Sequence, residues 1–125
     1  MIVGIGTDIL QIDRMSAALK RTPRLPERIL TPEELEKFRA HRQPEIFLAK
    51  RFAAKEAAVK ALGIGIGRGI SWQHFAVVHD EWGKPSLEIR GGAAERAEAI
   101  GCARLHLSYS DERDYVVAFV VAESE

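Results

Sequence analysis

Apolar and branched residues fill Ile2 to Leu10 (Ile-Val-Gly-Ile-Gly-Thr-Asp-Ile-Leu) almost without interruption, which predicts a buried strand. The spacing then changes. Ile12, Met15, Ala18 and Leu19 recur at helical intervals within Gln11 to Arg21, and Pro23 stops that helix. Thr31-Pro32-Glu33-Glu34 predicts a second helix start, with Thr31 as N-cap, Pro32 at the first position and Glu34 closing a capping box. A third start at Gln43-Pro44 opens a helix that runs to Leu62, with Gly63 just past its end. Gly63 to Gly69 has glycine at every second place and predicts a loop. Phe75 to His79 and Ser86 to Arg90 read as strands flanking the turn Glu81-Trp82-Gly83-Lys84-Pro85. Ala93 to Ile100 reads as a short helix closed by Gly101, and Arg104 to Ser110 with Tyr115 to Ala122 as a hairpin around Asp111-Glu112-Arg113-Asp114. The order β-α-α-α-β-β-α-β-β predicts an α+β fold, helices packed on one face of a largely antiparallel sheet.

Composition adds bounds to this picture. The 125 residues suit one domain spanning 1–125, and 46% hydrophobic with 29% charged residues is ordinary for a soluble globular protein. No run approaches the ~20 apolar residues of a membrane span, and no basic segment followed by an apolar one opens the chain, so a cytoplasmic protein is expected. The single cysteine, Cys102, excludes an internal disulfide and a multi-cysteine zinc site. Lys plus Arg and Asp plus Glu number 18 each, which disfavours a globally basic nucleic-acid binder. A surface without excess charge favours self-association. Neutrality is nevertheless a cancellation. Residues 11–30 carry Arg14, Lys20, Arg21, Arg24 and Arg28 against Asp13 and Glu27, a net of +3. Residues 42–60 carry Arg42, Lys50, Arg51, Lys55 and Lys60 against Glu45 and Glu56, again +3, so the remainder holds −6. Such segments are either solvated faces or surfaces for an acidic partner and a phosphate-bearing ligand.

Three features carry candidate chemistry. Asp8 is a lone carboxylate in an apolar strand, which costs several kcal/mol if left ionised and unpaired. By itself it reads as a strand-end residue capping the next turn or helix, with a ligand role as the alternative. Phe52, Glu56 and Lys60, spaced four apart, share one stripe of a helix, and Phe52 draws the two charges toward the buried margin. An i,i+4 ion pair on a solvated face, worth ~0.3–0.5 kcal/mol, accounts for Glu56 with Lys60 but not for the glycine-rich loop that follows. That loop follows a helix and lacks the Gly-Lys-Ser/Thr ending of a P-loop, and Gly4-x-Gly6 lacks the third glycine of a dinucleotide fingerprint. His106 shares a strand face with Arg104 and Ser108 and reads by default as a sheet histidine.

Taken together, Gly4-Ile5-Gly6-Thr7-Asp8-Ile9 and Phe52-Ala53-Ala54-Lys55-Glu56-Ala57-Ala58-Val59-Lys60-Ala61-Leu62-Gly63 resemble the paired signature of the 4′-phosphopantetheinyl transferases. Leu48-Ala49-Lys50-Arg51-Phe52, Gly83-Lys84-Pro85 and the short length resemble the single-domain holo-acyl-carrier-protein synthase branch. The resemblance implies transfer of the phosphopantetheine arm of coenzyme A to a serine of an apo acyl carrier protein, releasing adenosine 3′,5′-bisphosphate, in fatty-acid or polyketide synthesis. It implies Mg²⁺ held by Asp8 and Glu56, catalytic roles for Glu56 and Lys60, and coenzyme A contacts from Arg51, Lys60, Gly63, Gly65, Gly67 and His106. The base that activates the serine is left open between Glu56 and a water on the metal. Arg14, Arg21 and Arg24 match positions that dock the acidic carrier protein, and Arg28 is a candidate addition to them. A homotrimer with sites between subunits is implied, and neither nucleic acid nor membrane is expected as a partner. The alternative is a non-catalytic oligomeric binding module that recognises an acidic protein or nucleotide through the same basic face. An RNA-binding α+β domain is disfavoured, because the strands lack paired exposed aromatics.

Overall fold

The helix predicted from Gln43-Pro44 is the axis on which the three-stranded sheet and the first three helices pack. The computed structural model describes residues 1–125 and orders them as β1 (Ile2–Gln11), α1 (Ile12–Arg21), α2 (Leu25–Ile29), α3 (Pro32–Ala40), α4 (Pro44–Ala61), a 3-10 turn (Trp72–His74), β2 (Phe75–His79), β3 (Pro85–Ile89), α5 (Gly91–Ala99), β4 (Arg104–Asp111) and β5 (Tyr115–Glu123). Along α4, Leu48, Ala49, Ala53, Ala54, Ala57 and Ala58 are wholly buried. The helix is therefore covered on most of its circumference, and its alanines let neighbours approach closely.

β1 exploits that approach. A Cβ built on Gly4 would sit 1.9 Å from the Ala61 carbonyl oxygen, and one on Gly6 would sit 2.0 Å from that of Ala57. Backbone cannot yield to such a clash, so only glycine fits at either place. Gly4-x-Gly6 is thus a packing seam, with Asp8 next along the same strand face.

The three-stranded sheet has the order β1-β5-β4, all antiparallel, and Asp8, Ala118 and Tyr109 fall in one cross-strand row. On β5 Val116, Ala118, Val120 and Ala122 are buried against α4, while Tyr115, Val117 and Phe119 are exposed on the outer face. The expected buried strand is corrected here: Ile5 and Ile9 of β1 lie on the same outer face, Ile9 being 68% exposed. Helices cover one side of the sheet only, so alternate apolar side chains remain outside.

The expected single sheet is two sheets, since β2 and β3 pair with each other and not with β4. The predicted starts and ends hold to within a residue or two for the other elements, and the Thr31–Glu34 capping box is complete. Two short elements escape the hydrophobic pattern. Helix α2 has only five residues, with Pro26 in its first turn and Ile29 buried, and the turn Trp72–His74 is capped by Ser71. No helix is long and apolar enough to cross a membrane.

Candidate active site

Asp8 does not cap anything. β1 continues to Gln11, and Asp8 faces α4 with its side chain 16% exposed. Its Oδ1 lies 3.2 Å from Lys60 Nζ, and the same ammonium donates to the Thr7 carbonyl at 2.9 Å. The i,i+4 pairing considered for Glu56 and Lys60 is likewise replaced by other partners. One turn before Lys60, Glu56 Oε2 accepts a hydrogen bond from Trp72 Nε1 at 2.9 Å. Trp72 in turn packs against Phe52, with ring centroids 5.8 Å apart. The predicted stripe is real, and the fold brings Asp8 of an edge strand to it. Asp8 and Lys60 thus pair one helical turn beyond Glu56, and none of the three lines the larger cavities.

A second polar cluster lies on another side of α4 and is sealed from water. Lys55 is wholly buried, and its Nζ donates to Glu34 Oε1 at 2.6 Å and to the Ile29 carbonyl at 2.7 Å. Burial pushes the Lys55 ammonium below the ordinary lysine range, partly offset by the charge and hydrogen bond of Glu34. Glu34 also accepts from the Thr31 and Val77 backbone amides, both at 3.0 Å, so one carboxylate ties α3, α4 and β2 together. Arg51 Nε stands 3.4 Å from Glu34 Oε2, close enough for ion pairing but without hydrogen-bond alignment.

Arg51 is 5% exposed and turns toward a cavity of about 630 Å³ whose lining includes Lys37, Lys50, His79 and Tyr109. Its Nη1 donates to the Tyr109 hydroxyl at 3.0 Å, His79 Nε2 lies 2.7 Å from that hydroxyl, and the guanidinium covers the Phe47 ring at 4.4 Å. Burial first, then the charges of Arg51, Lys37 and Lys50, lower the His79 pKa below the usual histidine value. Much of the second basic segment is thus partnered internally: Lys55 with Glu34, Lys60 with Asp8, Lys50 with Asp111 at 3.2 Å.

The other expected residues are scattered. Gly63, Gly65 and Gly67 line a separate cavity of about 520 Å³ with Arg68 and Arg96, and Gly63 and Gly67 have φ of +70° and +110°. His106 lies on the outer sheet face with Nε2 2.9 Å from Glu123 Oε1, apart from the Asp8 corner within the chain. That hydrogen bond and a second from Arg104 hold the Glu123 carboxyl below the usual range. Arg14, Arg21, Arg24 and Arg28 are all exposed on α1, α2 and their junction, and Arg24 pairs with Glu27 at 2.8 Å. Sequence reasoning missed Lys55, Trp72, His79 and Tyr109. A Lys-Glu pair set between two pairs of alanines was the available signal for the first; for Trp72, His79 and Tyr109 no local signal existed.

The sequence matches the model of the 4′-phosphopantetheinyl transferase superfamily over residues 4–120. The chain belongs to that superfamily. Among relatives of this phosphopantetheinyl transferase superfamily member, holo-[acyl-carrier-protein] synthase of Vibrio cholerae serotype O1 is 52% identical over 124 residues, 98% of each chain. The crystal structure of holo-[acyl-carrier-protein] synthase from Neisseria meningitidis superposes with a TM-score of 0.92 at 47% identity, covering 99% of this chain and 100% of that one. The Bacillus anthracis enzyme, solved in complex with CoA (3′,5′-ADP), superposes with a TM-score of 0.84 at 38% identity over 100% of this chain and 99% of that one.

Proposed function

We infer that this phosphopantetheinyl transferase moves the 4′-phosphopantetheine moiety of coenzyme A to a serine of an apo acyl carrier protein, acting as one domain over residues 1–125. The observation that carries the reading is the pairing of Asp8 with Lys60, from two motifs far apart in sequence, one helical turn beyond Glu56. The serine oxygen forms a bond to the phosphorus that bears the pantetheine, and the bond from that phosphorus to the bridging oxygen breaks. Adenosine 3′,5′-bisphosphate leaves, and the serine proton passes to a base.

The donor set supports magnesium. Asp8 and Glu56 offer carboxylate oxygens alone, and no group of three or more His, Cys, Asp or Glu side chains gathers to make a self-sufficient site. Mg²⁺ is commonly held in this way, by one or two carboxylates completed by substrate phosphate and water. When bound, it would neutralise diphosphate charge as the transfer proceeds. The chain's own residues do the rest. Lys60, half exposed beside Asp8, is free to turn toward phosphoryl oxygens and steady the leaving group. Glu56 is the chain's candidate acceptor for the serine proton. The cationic cavity at Arg51 suits an anionic portion of coenzyme A, the glycine loop suits its close approach, and His106 is retained as a contact made across subunits. The exposed arginines Arg14, Arg21, Arg24 and Arg28 form the surface for the acidic carrier. The apolar outer face of the sheet, with Ile5, Ile9, Val117 and Phe119, supports a homotrimer in which a neighbour completes each open corner.

With Mg²⁺ and coenzyme A, an apo carrier protein gains the mass of one phosphopantetheine, read by intact-mass spectrometry. No mass gain with folded protein would leave the binding-module reading in its place.

A further inference from the structure

We infer that Trp72 is a positioning residue for Glu56, an assignment that rests on the reading of Glu56 as a magnesium ligand. Trp72 lies outside both signature motifs, in the single 3-10 turn after the glycine loop. Its indole Nε1–H is a donor only, and in a half-buried setting it needs an acceptor, which Glu56 Oε2 supplies at 2.9 Å. The ring also packs on Phe52, one turn before Glu56 on α4. One tryptophan is thus held by two members of the same helical stripe, one by tilted ring packing and one by a hydrogen bond.

The turn that carries Trp72 is itself fixed. Ser71 Oγ accepts from the Gln73 amide and His74 Nδ1 accepts from the Ser71 amide, each at 3.1 Å. The Gln73 side-chain amide donates to the carbonyls of Glu27 and Leu30 at 2.6 and 3.1 Å, anchoring the turn to α2. The indole therefore acts as a fixed donor against a side chain that would otherwise sample several rotamers. Holding Oε2 leaves Oε1 and the remaining lone pairs of the carboxylate for a cation.

The test separates this role from the metal reading beneath it. In spectra of ¹⁵N-indole-labelled protein saturated with coenzyme A and without carrier, Mg²⁺ titration should shift the Trp72 Nε1–H resonance along a saturable curve. Trp82, 86% exposed on the β2–β3 turn, serves as the internal comparison. By calorimetry under the same conditions, Trp72→Phe, which keeps a smaller ring against Phe52 and removes the donor, should weaken Mg²⁺ binding about tenfold. Unaltered Mg²⁺ affinity in Trp72→Phe, with wild type binding normally, would overturn the positioning role alone. Absence of Mg²⁺ binding to the wild type would overturn the metal reading and this inference with it.

Discussion

Lys55 and Lys60 stand five residues apart on one helix, and each gives its ammonium to one carboxylate and one backbone carbonyl. Their environments are opposite. Lys55 is wholly buried between Glu34 and the Ile29 carbonyl, whereas the Lys60 side chain is 53% exposed beside Asp8 and the Thr7 carbonyl. The same pair of bonds therefore does two jobs. In a dry site neither partner can leave without stranding the other's charge, so the Lys55–Glu34 pair clamps α4 to α3 and β2. At the wet corner water screens the pair, the attraction is weak, and the ammonium remains available to another anion. Burial, more than residue type, separates the structural lysine from the one proposed to meet substrate.

The contrast can be broken at several points. Lys55→Met should cost the most stability, about 3–5 kcal/mol, because Glu34 keeps its buried charge after losing its closest cation. Thermal unfolding should show a drop in Tm of about 10–20 °C. Lys60→Met should do the reverse, changing stability by less than about 1 kcal/mol while lowering turnover about 10²–10³-fold. Equal damage to Tm from both substitutions would erase the distinction. A smaller effect is expected at the proposed docking surface. Arg14→Glu should raise the KM for the carrier about tenfold at low salt, with convergence at high salt and an unchanged KM for coenzyme A.

The smallest effect tests whether crowded cations at the Arg51 cavity matter to the fold. The folded pKa of His79 lies below its ordinary value, by burial first and neighbouring positive charge second. Between that folded value and about 6.5 the unfolded chain holds a proton that the folded chain does not. Stability should therefore rise with pH across this window, be complete above it, and be lost on acidification. His79→Gln should flatten the dependence of Tm on pH between about 5 and 7. An unchanged slope would assign the acid sensitivity elsewhere.

What the sequence determined by itself was whatever depends on neighbours three or four residues away. The Thr31–Glu34 capping box, the long helix from Pro44, the Phe52–Glu56–Lys60 stripe and the closing hairpin all rest on short-range spacing, and all are present. Only the tertiary structure decided what those residues touch. Glu34 was visible as a cap, yet its bond to Lys55 spans 21 positions and its bond to the Val77 amide spans 43. Spacing alone offered Glu56 as a partner for Lys60, yet its carboxylate partner is Asp8, 52 positions away, and Arg51 meets Tyr109 across 58. Such partners depend on how closely two elements can approach. Here that approach is governed by glycines of β1 resting directly on the alanine backbone of α4, at distances where a single added Cβ would force them apart.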